Sequence, residues 1–175
     1  MEPCTLVIPD LTMAEEIRAY RQAFLDSGDS MDGTGGLRRL ENPADWLDEN
    51  ARYMKRETVP DGWVPATQFV YVRSSDGRIV GMIQVRHEFN DYLAKYGGHI
   101  GYCVRPDERR KGYAAVMLRE VLPYCRALGL KRVMVTCLTD NEGSRRTILK
   151  NGGVYEYTVH EPEENVDLER YWIAL

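Results

Sequence analysis

Residues 98–118 constrain this chain more than any other stretch. They read Gly-His-Ile-Gly-Tyr-Cys-Val-Arg-Pro-Asp-Glu-Arg-Arg-Lys-Gly-Tyr-Ala-Ala-Val-Met-Leu. An alternating strand pattern ends at Arg105, Pro106 cannot continue its ladder, and helical spacing begins shortly afterwards. The first N–H groups of a helix have no intrahelical acceptor, and the helix dipole adds positive potential there. Gly112 lets the backbone approach a ligand closely, and Ala114 keeps a side chain out of the way. Such a junction suits a pyrophosphate. A P-loop would need Gly-Lys-Ser/Thr, whereas Lys111-Gly112-Tyr113 runs in the other order and lacks the hydroxyl.

The rest of the composition narrows what this junction can serve. A chain of 175 residues predicts one domain, 1–175, burying roughly 70% of its unfolded surface. Lys and Arg number 23 against 27 Asp and Glu, a net charge of −4. Nucleic-acid binders carry the opposite bias, so no nucleic-acid partner is expected. The run Arg109-Arg110-Lys111 is a local exception suited to one small anion. No apolar run is long enough to span a membrane, and Met-Glu-Pro-Cys-Thr-Leu-Val-Ile lacks the basic start of a signal peptide. Cys4, Cys103, Cys125 and Cys137 form no C-x-x-C pair, and the three histidines offer few metal ligands. Buried reduced thiols, no metal site and a cytoplasmic location are expected.

Hydrophobic spacing predicts strands at 5–8, 67–73, 78–88, 99–105, 132–137, 154–160 and 168–175. Helices are predicted from Thr12 to about Gly28, from Pro43 to about Arg56, from about Arg110 to Leu128, and from Asn141 to Lys150. Pro123 should disturb the third helix, and Gly129 should close it with a left-handed cap. On the 78–88 strand, Ile79, Gly81, Ile83 and Val85 are expected on one face. The glycine-rich segment 28–36 reads as a flexible loop. The order βααβββαβαββ predicts an α+β fold, a central mixed, mostly antiparallel sheet flanked by about four helices.

Arg109-x-x-Gly112-x-Ala114 resembles the pyrophosphate loop of the GNAT acetyltransferase superfamily. The preceding strand, the later Asp140-Asn141-Glu-Gly-Ser144 and the turn Asn151-Gly152-Gly153 extend the likeness over residues 98–153, closest to a bacterial subgroup of predicted acetyltransferases. The resemblance implies a GNAT-like domain that moves an acetyl group from acetyl-CoA to the primary amine of a small molecule by direct attack. It implies that the main chain of Tyr102, Cys103 and Val104 pairs with the pantetheine amides. It assigns the pyrophosphate to Arg109, Arg110, Lys111, Gly112, Tyr113, Ala114 and Ala115, and the pantetheine arm to Asn141, with Ser144 packed beside it.

One departure bears on mechanism. Many relatives carry a tyrosine general acid seven residues after the helix asparagine, where this chain has Ile148. Tyr113, Tyr155 and Tyr157 stand as unranked substitutes. An ammonium must lose a proton before it can attack a thioester. His99 is the leading base, since imidazole titrates near neutrality. Glu88, Asp91 and His87 are the alternatives, with Glu88 entered as the second catalytic residue. A covalent role for Cys103 is disfavoured by its place in a strand. Alternative functions are a catalytically silent acyl-CoA-binding module, kept open by Ile148, and a protein or peptide N-acetyltransferase. The edges of the last strands leave room for a homodimer.

Overall fold

A computed structural model describes residues 2–175. The strands are β1 (Cys4–Val7), β2 (Ala66–Arg73), β3 (Ile79–Arg86), β4 (Ile100–Val104), β5 (Arg132–Leu138), β6 (Val154–Glu161) and β7 (Val166–Ala174). The helices are α1 (Ala14–Ser27), α2 (Pro43–Tyr53), α3 (Tyr113–Ala127) and α4 (Glu142–Lys150). This is the predicted α+β order. The sheet, however, divides in two: β1-β2-β3-β4 and β5-β7-β6, with every pairing antiparallel. No ladder joins β4 to β5. One backbone hydrogen bond links the two sheets, the His99 N–H donating to the Met134 carbonyl at 2.8 Å.

Two apolar layers cover the first sheet. On one face, Val80, Ile83, Val85, Ile100 and Val104 meet Met117, Leu118, Val121 and Cys125 of α3. On the other, Val70, Ile79 and Met82 meet Ile17, Tyr20 and Phe24 of α1 and Trp46 of α2. Ile79 thus lies opposite Ile83 and Val85, contrary to the face predicted for it. Tyr71 pairs with Gly81 and Val72 with Ile79, so a bulge skips Val80 and exchanges the two side chains. Strand periodicity cannot show an inserted residue.

The segment expected to be flexible is anchored. The Gly33 carbonyl accepts from Gln68 Nε2 at 2.8 Å, and the Thr34 carbonyl from Trp46 Nε1 at 2.8 Å. Both Gln68 and Trp46 are buried, so these bonds are sheltered from water. Gly33 also lies directly against Gly101 of β4, two glycines together because no side chain fits between their backbones.

Further differences lie at element ends. α2 stops at Tyr53, and α3 starts at Tyr113 rather than Arg110, because Arg110 (φ 62°) and Gly112 (φ 86°) are left-handed. Pro123 sits exposed within α3, and Gly129 has φ 86°. A π-helical turn at Leu93–Gly97 and a 3-10 turn at Pro106–Glu108 have no counterpart in the sequence reading.

Candidate active site

β4 and the turn after it build the centre of the site. Pro106 ends the strand, and the 3-10 turn carries Glu108 inward, where it is almost fully buried. Its carboxylate meets Arg73 at 3.0 Å, Arg78 at 3.2 Å and Lys111 at 2.7 Å. Burial pushes the Glu108 acid up, but Lys111 and Arg73 more than offset this and hold it below the usual carboxylate range. Arg109 pairs with Asp29 at 2.6 Å and donates from Nε to the Val104 carbonyl at 3.2 Å.

These pairings correct the reading of a free threefold positive patch. Two of the three cations are neutralised and act as guy-lines for the turn; Arg110 alone has no carboxylate partner among the described residues. What the turn offers instead is unpaired backbone N–H groups. No protein acceptor meets the N–H groups of Arg110, Lys111 or Gly112 among the described residues, and those opening α3 are orphaned by helix geometry. Gly112 is the left-handed N-cap of α3. Tyr113 points into the core, so only its main chain faces the cradle. Asn151 donates to the carbonyls of Ala115 (3.0 Å) and Thr147 (2.9 Å), tying the end of α4 to the start of α3.

Tyr102 and Ser144 meet across the divided sheet. The Tyr102 hydroxyl lies 2.8 Å from Ser144 Oγ. Burial drives its pKa well above the ordinary phenol value. Asn141 caps α4, its Oδ1 accepting from the Ser144 N–H at 3.0 Å. Ile148 is fully buried among the apolar residues beneath α3. Cys103 lies on the α1 side, its Sγ 3.2 Å from the Tyr20 hydroxyl. Burial pushes its thiol up to about 12, against a covalent role at neutral pH.

His99 has a different job from the one expected. Its Nδ1 accepts the Met134 N–H at 2.9 Å. A backbone amide can only donate, so Nδ1 holds the lone pair, the proton sits on Nε2, and the basic nitrogen is already engaged. The ring stacks on Phe89 with centroids 3.9 Å apart. Burial, then the nearby Arg86 charge, depresses its pKa to about 4. The leading-base assignment is therefore corrected: His99 staples the two sheets. Glu88 is exposed and paired with Arg56. Tyr155 and Tyr157 are exposed on β6. Sequence reasoning missed the Tyr102–Ser144 pair, the Glu108 cluster and Arg86, each made by residues distant in the chain.

The His99 staple has a pH signature. Between pH about 4 and 6.5 the unfolded chain binds this proton and the folded chain does not, so stability is lost as pH falls through that window. The loss attributable to His99 is about 3 kcal/mol. In His99→Asn, Oδ1 can still accept the Met134 N–H but does not titrate. Urea unfolding at pH 7 and pH 4 is expected to show a loss smaller by that amount in the variant. Equal losses would refute the assignment.

A model of the Acetyltransferase (GNAT) family matches residues 36–152. The chain belongs to the GNAT family. Over 54 residues it is 43% identical to the uncharacterized N-acetyltransferase YoaA of Bacillus subtilis (strain 168), a match covering 30% of each chain. It is similar in fold to the ribosomal-protein-S5-alanine acetyltransferase of Vibrio fischeri (TM-score 0.75, 16% identity, 99% of this chain and 94% of that one). Another likeness is to the microcin C7 self-immunity acetyltransferase MccE, solved with acetyl-CoA and AMP (TM-score 0.69, 18% identity, 98% and 92%). The GNAT match contains β4, the cradle, α3 and α4. No described helix is long and apolar enough to cross a membrane.

Proposed function

We propose that this chain is an acetyl-CoA-dependent N-acetyltransferase acting on the primary amine of a small molecule. The observation that carries the reading is the backbone turn at Arg110–Gly112, anchored by Glu108 and Asp29 and opening onto α3 with its N–H groups unpaired. It fits a pyrophosphate by chemistry and backbone shape: donors without acceptors, and no Cβ at Gly112. The main chain of Tyr102 and Val104 faces the open edge of β4, where the sheet is divided, and can pair with an extended amide arm, whereas that of Cys103 turns inward to Met82 of β3. Acetyl-CoA, when bound, supplies an acetyl group activated as a thioester.

The chain's own residues account for part of the proton traffic. We assign Tyr102 as the proton donor that stands in for the tyrosine replaced by Ile148. Its hydroxyl reaches Ser144 of α4, one turn ahead of Ile148. Ser144, which is half-exposed, can relay a proton from water to Tyr102, taking one up as it passes one on. Because a thiolate is a good leaving group, the benefit of a donor is modest. Tyr102→Phe is expected to lower kcat about tenfold and leave the dissociation constant for acetyl-CoA unchanged. Thiol release over a panel of amines and calorimetric titration with acetyl-CoA measure the two quantities. An unchanged kcat would remove Tyr102 from the mechanism. Bound acetyl-CoA without thiol release from any amine would replace the enzyme reading with that of an acyl-CoA-binding module.

A further inference from the structure

We propose that the acceptor carries a carboxylate beside its reacting amine, and that Arg86 binds that carboxylate. The proposal rests on the acetyltransferase reading and names its substrate class. Arg86 closes β3 on the sheet face shared with Gln84 and with segment 28–36. Its Nη1 donates to the Gly97 carbonyl at 3.0 Å, which fixes the guanidinium plane. Neither Nε nor Nη2 has a protein acceptor within reach among the described residues, and no carboxylate lies within ion-pair distance. Nη2 lies 3.2 Å from the point a Cβ on Gly101 would occupy, so the free edge of the fork stands beside β4. Gly101 immediately precedes Tyr102, the first residue whose main chain is assigned to the cofactor arm.

Other inward-facing arginines of this fold contrast with it. Arg73 has Glu108 and Asp76, Arg145 has Glu142 and Glu169, and Arg170 has Glu156. Arg86 is half-buried with no carboxylate in direct contact, a costly state for a guanidinium whose planar fork matches a carboxylate bidentately. The nearest acid acting on Arg86 is Asp32 of segment 28–36, which stays beyond ion-pair distance, and the other groups on this face are donors. Gln84 is the next side chain on this face, its Nε2 only 3.4 Å from Gln68 Oε1, and the buried Asn50 Nδ2 has no partner. His99, the nearest titratable side chain of β4's entry, is neutral and adds no negative charge. A bare amine would meet the Arg86 charge and leave its fork unpaired, with only the more distant Asp32 to offset the repulsion. An amino acid enters with its charges balanced, and pairing its carboxylate with Arg86 holds its amine next to β4.

The test compares free L-amino acids with their α-amides and with the corresponding decarboxylated amines, following thiol release from acetyl-CoA. The wild-type protein is expected to prefer the free acids. Arg86→Gln, which retains a donor for the Gly97 carbonyl, is expected to raise KM for the acids by 30-fold or more. The same variant should leave the amides and the affinity for acetyl-CoA unchanged. Equal use of acids and amides by the wild type would overturn the proposal. So would an equal loss on both in Arg86→Gln, which marks a merely structural arginine, or bound acetyl-CoA with no release from any acid. Failure to bind acetyl-CoA at all would instead overturn the acetyltransferase reading itself.

Discussion

Gly112→Val is expected to weaken acetyl-CoA binding more than about 100-fold while the protein remains folded. Gly112 has φ 86°, and a β-branched residue in that region is strained by about 1–2 kcal/mol or more. The turn can relieve this strain only by rotating the peptides that present the unpaired N–H groups. A Cβ would in addition stand where the backbone must approach the phosphates. At this chain length the strain corresponds to a Tm lower by about 2–8 °C, which leaves a folded protein at 25 °C. Calorimetric titration with acetyl-CoA, beside a circular-dichroism melt, separates lost binding from lost structure. Binding within threefold of wild type would show that the anion sits elsewhere. Because no acceptor takes part, this measurement is independent of catalysis.

Gly33→Ala is expected to be the most destabilising single-methyl change. A Cβ at Gly33 would lie 2.0 Å from the Gly101 carbonyl oxygen, a backbone atom that cannot swing aside. Gly33 also has φ 68°. The loop must lift from β4, breaking the buried bond from Gln68 to the Gly33 carbonyl and straining the one from Trp46 to Thr34. Strain, lost packing and an unpaired buried carbonyl together amount to about 3–5 kcal/mol, a Tm drop of about 6–20 °C. Gly28→Ala supplies the control: it too has positive φ, but a Cβ there meets nothing within 4 Å. Its cost is backbone strain alone, about 1 kcal/mol. Similar losses in the two variants would show that the contact with Gly101 does not anchor the loop.

These cases show which parts of the molecule are legible along the chain. Strands and helices came through because their signals are local: alternation in β2 and β3, Gly129 closing α3, Asn141 capping α4. The turn between β4 and α3 was legible for the same reason, since Pro106 and Gly112 act through their own backbone. Errors arose where a side chain's partner lies far away in sequence. Lys111 reads as a free cation in the sequence, whereas it pairs with Glu108, which is buried between three positive side chains. His99 read as a base because an isolated imidazole is one; the Met134 N–H, 35 residues on, takes its lone pair. Segment 28–36 looked loose because glycines permit freedom, whereas here the absence of side chains permits contact.

The sequence by itself determined the α+β order, the tight turn ahead of α3 and the family, because each depends on short-range pattern and backbone conformation. Tertiary structure decided the division of the sheet between β4 and β5, the meeting of Tyr102 with Ser144, the loss of His99 as a base and the unpaired fork of Arg86. Protonation state and nucleophilicity depend on burial and on neighbours a few ångströms away. Only the folded chain brings those neighbours together.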